Sequence, residues 1–138
     1  MVPAKVEYAA LAALELAARA HTEEPVPLRD LADSQKIPAQ FLVQLLQRLK
    51  VAGLVRSTRG ASGGYLLAQP AAELTLWDVW AAVMVDEVDV TCEPDPRRHG
   101  LRKIWKEILD TRRAQLEGIS IEALLQRCQD SQDPMYYI

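Results

Sequence analysis

The chain has 138 residues, a length for one domain or one domain with an appendage, and 49% of them are hydrophobic, which is enough for a real core. Its net charge of -3 gives no overall sign of a nucleic-acid partner. Residues 29–59, however, carry six cations and two anions, a local charge of +4. Such a basic segment is either an electrostatic footprint for nucleic acid or a chance fluctuation on a solvated face.

Secretion and membrane insertion are not expected for this sequence. Glu7 and Glu15 interrupt the alanine-rich start of the chain, and the apolar core of a signal sequence would not contain such charges. No uncharged run approaches the roughly 18 apolar residues of a membrane span. The two cysteines, Cys92 and Cys128, lie far apart and form no Cys-x-x-Cys pair. We therefore expect a cytoplasmic protein with reduced thiols and no membrane partner.

Apolar residues at helical spacing predict three helices at the start of the chain, over 4–20, 28–34 and about 38–52. We place Pro38 at the first position of the third helix, where its missing N–H costs nothing. Gly53 fits the left-handed residue that follows a helix end. The second and third helices are joined by a short turn and form a helix–turn–helix.

A β-hairpin is predicted over 54–68, where two short apolar runs flank a polar loop that holds three glycines. Arg56 and Arg59 lie beside that loop, which suits a hairpin tip that touches something negative. A hairpin directly after a helix–turn–helix predicts a winged helix–turn–helix. In that arrangement the second helix enters the major groove, and the hairpin lies over the DNA backbone or the minor groove.

The second half of the chain is predicted to contain helices on both sides of a polar loop. Thr75 and Asp78 have the spacing of a capping box, so a helix is expected over about 76–84. The polar, acidic residues 86–100 predict a loop. We divide the chain into a winged helix–turn–helix domain 1–85, a sensor or connecting loop 86–100, dimerisation helices 101–128 and a tail 129–138.

A long helix is predicted to begin at Leu101 and to end at Gly118, before a short last helix that Ser120 caps. It carries an apolar stripe at helical spacing, formed by Leu101, Ile104, Trp105, Ile108 and Leu109. A small winged domain cannot easily bury the whole stripe. The helix therefore packs either inside its own chain or against a second copy.

Several motifs resemble one bacterial regulator family, the one that contains IscR, NsrR and CymR. They are Leu28-Arg-Asp-Leu-Ala, Phe41-Leu-Val-Gln-Leu-Leu, Ala52-Gly-Leu-Val-Arg-Ser-Thr-Arg-Gly, Gly63-Gly-Tyr-Leu-Leu, Leu74-Thr-Leu-Trp-Asp-Val and Gly118-Ile-Ser-Ile-Glu-Ala-Leu. The resemblance covers the chain to about residue 128. It implies a homodimeric transcription factor that binds double-stranded DNA at palindromic operators. No enzyme motif of the phosphate-loop, dinucleotide or hydrolase type is present, so no catalysis is expected.

The resemblance also implies which residues contact DNA. In the third helix they are Pro38, Gln40, Phe41, Val43 and Gln44. Gln40 and Gln44 can hydrogen-bond base edges, and Val43 stands where a relative has a glutamate that discriminates operator types. In the hairpin, Arg59 matches an arginine that enters the minor groove. The supporting positions are Arg56, Ser57 and Gly60 in the hairpin, and Lys36 and Arg48 as phosphate contacts or plain surface residues.

The sensor is the part that departs from the family pattern. Iron–sulfur members carry three cysteines in the loop before the long helix, and here only Cys92 stands there. One interpretation keeps an iron–sulfur cluster, with Cys92 joined by Cys128, His99, or Glu7 of a second subunit. The other is a cluster-free regulator controlled by a partner protein, a small ligand or oxidation of Cys92, with Cys128 as a small buried residue. A winged helix that binds proteins rather than DNA is a third possibility.

Overall fold

The structure, a computed structural model, describes residues 2–84 and 94–131. These residues form six α-helices and one two-stranded sheet, which confirms the expected mainly α fold with a small hairpin. In chain order the elements are α1 (Ala4–Ala18), α2 (Leu28–Gln35), α3 (Ala39–Val51), β1 (Val55–Thr58), β2 (Gly64–Leu67), α4 (Leu76–Val83), α5 (Pro96–Glu117) and α6 (Ile121–Asp130), with a 3-10 turn, Ala20–Thr22, after α1. None of the described helices combines the length and apolar character that a membrane span requires.

Helix α1 lies at the centre of the fold and packs against α2, α3, α4 and α6. Its buried face is mostly alanine, with Ala9, Ala12 and Ala13 on it, and small side chains let neighbouring helices come close. Leucines of α3, among them Leu42 and Leu46, are fully buried against it. The result is one core shared by the first four helices and the start of α6.

The turn between α2 and α3 depends on a left-handed residue. Lys36 has φ +55° and ends α2, while the next residue, Ile37, is buried and anchors the turn in the core. Pro38 does not occupy the first helical position as predicted. It lies one residue earlier, as the N-cap with ψ 127°, and its carbonyl accepts the first helical hydrogen bond from the Leu42 N–H at 3.0 Å. The helix end after Val51 is as predicted, with Gly53 at φ +80°.

The wing, which comprises β1, β2 and the loop between them, pairs with a further backbone segment that was not predicted from the sequence. β1 pairs antiparallel with β2, with Val55 opposite Leu67. On its other side β2 pairs with Val26, which exchanges two 2.9 Å backbone hydrogen bonds with Tyr65. The close approach explains Gly64, because a Cβ there would collide with the Val26 carbonyl. The proline-containing segment before α2 therefore lies against the edge of the wing through this isolated bridge.

The long helix begins earlier than predicted. Asp95 is its N-cap, with a carboxylate oxygen that accepts the Arg97 N–H at 2.9 Å, and Pro96 occupies the first helical position. Residues 96–100 are therefore helix rather than loop, and His99 lies in the first turns of α5. Asp followed by Pro is a local helix-start pattern that could have been recognised. Residues 86–93 of the predicted loop, Cys92 among them, lie outside the described residues.

Short backbone links attach α5 and α6 to the winged part. Thr75 forms a β-bridge with Ser120, and the Ile121 N–H donates to the Leu74 carbonyl at 2.7 Å. The predicted capping box is confirmed, since Thr75 and Asp78 exchange side-chain to backbone hydrogen bonds. Ser120 also caps α6 as predicted, accepting from the Ala123 N–H at 3.0 Å. Helix α6 then returns to pack on α1.

Candidate nucleic-acid interface

One face of α3 is directed away from the core and carries uncharged side chains. Gln40, Val43, Gln44 and Gln47 are exposed, while the leucines between them are buried. Spacings of three, four and seven residues place these four side chains in one stripe along the helix. We call them the outward face of α3. The structure thus brings together three residues predicted as DNA contacts and adds Gln47, which the sequence did not single out.

Phe41, the fourth predicted contact of α3, is placed differently. It is only half-exposed, and its ring meets the Tyr8 ring edge-on, with centroids 5.6 Å apart and planes at 83°. Such aromatic pairs add to the stabilisation from burial. The structure therefore gives Phe41 a packing role between α3 and α1. Its contact with DNA stays a prediction.

The cations near α3 differ in the hydrogen bonds that their side chains make to other parts of the protein. Lys36 is exposed in the turn that leads into α3. Arg48 is partly buried and donates from Nη1 to the Val83 carbonyl at 2.9 Å, which ties α3 to α4. Lys50 donates from Nζ to the Ser57 hydroxyl at 2.8 Å and ties the end of α3 to the wing. A phosphate contact by Arg48 would thus compete with its hydrogen bond to the Val83 carbonyl. Lys36 is exposed and is well placed to contact a phosphate.

The wing presents its cations to solvent. Arg56 and Ser57 are exposed on β1, and Arg59 is exposed at the tip beside Gly60, whose φ of +105° needs glycine. Arg59 also lines an open cleft of about 770 Å³ between the wing tip and the start of α2. A guanidinium on a raised tip is suited to a narrow minor groove, whose negative potential attracts arginine.

A second exposed surface runs along α5. Its predicted apolar stripe, Leu101, Ile104, Trp105, Ile108 and Leu109, is 48–53% exposed, and no residue of α5 is buried within the described chain. We call these five side chains the α5 stripe. An i,i+4 ion pair beside it joins Lys106 Nζ to Asp110 at 2.9 Å. The hydrogen bond and negative charge of Asp110 raise the pKa of Lys106 above its usual value.

Two tryptophans of α4, Trp77 and Trp80, contact the carboxyl-terminal end of α5. The Arg112 guanidinium lies over the Trp80 ring and that of Arg113 over the Trp77 ring, each 4.7 Å from the ring centroid. Stacking of this kind is worth about 0.5–2 kcal/mol per pair, depending on exposure. These contacts hold the carboxyl-terminal end of α5 on α4, while the α5 stripe, over residues 101–109, stays about half exposed.

The described candidate ligands for an iron–sulfur cluster are all exposed. Glu7 is exposed in the first turn of α1, and His99 is exposed near the start of α5. Cys128 is exposed on α6, so the interpretation of a buried apolar cysteine is wrong. No group of three His, Cys, Asp or Glu side chains that could hold a metal ion occurs in residues 2–84 and 94–131.

The donor set of the whole sequence also does not suit a conventional cluster. Iron–sulfur clusters are usually held by four cysteine thiolates, and the chain has two cysteines. One of them, Cys92, lies outside the described residues. A cluster in a single subunit would therefore need at least two ligands of a less usual type.

The chain is similar to known proteins over most of its length. The model of the Rrf2 family, described as an iron-dependent transcriptional regulator, matches residues 2–127. The HTH-type transcriptional regulator IscR of Photorhabdus laumondii subsp. laumondii is 38% identical over an alignment of 128 positions; the alignment covers 88% of this chain and 76% of that one. The IscR of Xenorhabdus nematophila is 36% identical over the same shares.

Solved structures agree with the sequence comparisons. T. potens IscR superimposes with a TM-score of 0.79 at 26% identity, over 100% of this chain and 96% of that one. CymR, the global cysteine regulator of B. subtilis, superimposes with a TM-score of 0.72 at 29% identity, over 92% of this chain and 97% of that one. The similarity therefore extends over the wing, α5 and α6, and is not limited to the helix–turn–helix.

Proposed function

Because the chain belongs to the Rrf2 family of transcriptional regulators, we propose that it acts as a homodimer that binds the two halves of a palindromic DNA site. In this proposal α3 lies in the major groove of each half-site, and Arg59 on the wing reaches the adjacent minor groove. The α5 stripe of one subunit packs on that of the other. Chromosomal DNA as the ligand places the protein in the cytoplasm.

The observation that supports the dimer is the uncovered α5 stripe. Full burial of a large apolar side chain contributes about 1.5–3 kcal/mol, so covering a half-exposed one contributes roughly 1 kcal/mol. Ten such side chains in a dimer give about 10 kcal/mol, against an association cost of roughly 4–15 kcal/mol. The α5 stripe is therefore large enough to account for much of the association. A two-fold dimer then presents two copies of α3 to two half-sites.

The polarity of the two surfaces supports their different partners. The outward face of α3 offers amide groups, which can pair with base edges, and the wing offers exposed arginines. The α5 stripe offers only apolar area. DNA is a poor partner for the α5 stripe, and a second apolar helix is a poor partner for the wing.

The proposal is tested by sedimentation and by selection from a randomised duplex library. We expect a dimer at micromolar concentration and enrichment of duplexes with inverted symmetry, bound with a strong inverse dependence on salt. A monomer that still enriches symmetric duplexes would overturn the dimer. A protein that enriches no duplex would leave the protein-binding winged helix as the function.

For the regulatory signal, we propose a cluster-free mode controlled by a partner protein, a small ligand or oxidation of Cys92. The support is the small number of thiolates and the lack of a metal-binding group among the described residues. Protein purified without oxygen is expected to be colourless in the visible range, with no iron or sulfide by chemical assay. A brown protein with iron and sulfide would restore the cluster, and Cys92→Ala and Cys128→Ala would then locate its ligands.

A further inference from the structure

We propose that α3 selects A·T base pairs, with Gln40 and Gln44 bonded to adenine edges and Val43 packed on a thymine methyl group. This inference rests on the proposed placement of α3 in the major groove. It adds the sequence class of the half-site and assigns a specificity role to an apolar residue.

Val43 has no packing role that explains its side chain. It is 42% exposed in the middle of the outward face of α3, while Leu42 and Leu46 on the opposite face complete the core. Its neighbours on the same face, Gln40, Gln44 and Gln47, are all amides. An apolar side chain surrounded by amides suits a base pair that presents both a methyl group and polar atoms. In the major groove that base pair is A·T, since thymine carries the 5-methyl group and adenine offers N6 and N7.

The charges of α3 disfavour the other base pair. Guanine is most often bound by arginine or lysine, and cytosine donates to a carboxylate. Helix α3 contains no acidic residue, and its cations, Arg48 and Lys50, lie in its last turns. Arg48 donates to the Val83 carbonyl and Lys50 to the Ser57 hydroxyl, so both are directed to other parts of the protein. The outward face between Gln40 and Gln47 therefore lacks the groups that commonly recognise G·C.

The length of the face sets the size of the recognised core. Gln40 and Gln47 are separated by seven residues, which corresponds to about 10 Å along a helix. Stacked base pairs rise about 3.4 Å each, so the face spans roughly three base pairs. We expect a core of about three A·T pairs in each half-site, flanked by phosphates that Lys36 contacts and by the minor groove that Arg59 enters.

The test uses a duplex enriched from a fully randomised library, in which single thymines are replaced by deoxyuridine to remove only the 5-methyl group. Loss of one buried methyl group is worth about 0.8 kcal/mol, or about four-fold in affinity, and about 15-fold for two half-sites. We expect this loss at one thymine position per half-site with the wild-type protein. Val43→Ala should show a similar loss on the thymine duplex and no further loss on the deoxyuridine duplex.

A matched control comes from the same helix. Val51→Ala makes the same substitution at a valine in the last turn of α3 that is 79% exposed. It should leave the affinity for both duplexes unchanged and show the wild-type response to deoxyuridine. Gln44→Leu should relax the preference at one adenine while keeping the deoxyuridine response at the Val43 position.

The outcomes separate this inference from the proposed function. An enriched half-site with a G·C core, or equal deoxyuridine losses in wild type and Val43→Ala, would overturn the A·T selection and leave the DNA-binding dimer intact. If no duplex is enriched, both the proposed function and the inference are wrong. A circular-dichroism melt identifies any variant that fails because it is unfolded, and Val43→Thr, which keeps the shape but loses one methyl, then replaces Val43→Ala.

Discussion

Helices α3 and α5 both carry an apolar stripe at helical spacing, but the stripe of α3 is buried within the chain and the stripe of α5 is about half exposed. The leucines of α3 are buried against α1 and α4, and the outward face of α3 consists of three amides and one valine. The stripe of α5 remains about half exposed, and its carboxyl half is held on α4 by two arginine–tryptophan contacts. Periodicity thus identifies a face that must be covered but not the element that covers it.

The largest expected effect concerns the covering of the α5 stripe by a second copy. Ile108→Asp places two aspartates in the proposed dimer, and an uncompensated buried charge costs about 3–5 kcal/mol. We expect a monomer at micromolar concentration in analytical ultracentrifugation, with operator affinity reduced by more than 100-fold. The variant should still fold, because Ile108 is 52% exposed in the single subunit, but it should melt below the wild-type dimer, since association stabilises the folded state.

Lys103→Asp is the matched control, because residue 103 lies on the side of α5 opposite the stripe. It should remain a dimer with wild-type affinity. A dimer that survives Ile108→Asp would place the subunit contact elsewhere and would remove the reason for treating α5 differently from α3.

The next effect concerns the buried side of α3. Leu46 is fully buried, and Leu46→Ala should lower the free energy of unfolding by about 2–5 kcal/mol, through lost burial and a cavity. Urea denaturation measures the change. Gln47→Ala on the outward face should stay within about 0.5 kcal/mol. Equal losses for the two variants would mean that α3 does not have the buried and exposed sides described.

The smallest effect concerns the wing. Arg59→Ala should weaken operator binding by about 1–3 kcal/mol, because a charge in the minor groove is lost. The slope of log affinity against log salt should become shallower by about one. Arg127→Ala removes an exposed cation from α6 and should change neither quantity. An unchanged titration with Arg59→Ala would remove Arg59 from the predicted DNA contacts.

Several elements were predictable because they depend on residues close in sequence. The capping box of Thr75 and Asp78, the cap at Ser120 and the left-handed Gly53 each involve groups within about four residues. The start of α5 was equally local, since Asp95 and Pro96 are adjacent, but the acidic composition of the preceding loop obscured it. The family resemblance, confirmed over residues 2–127, added DNA binding to what the local patterns established.

Side-chain spacing and covalent composition are enough to establish the order of helices and hairpin, the apolar faces of α3 and α5 and the number of thiols. The pairing of Val26 with the wing, the bond from Arg48 to the Val83 carbonyl and the exposure of Cys128 could not be predicted in this way. Each of these depends on which distant segment comes within a few ångströms. Such contacts are set by the packing of the whole core around α1, and no window of neighbouring residues contains that information.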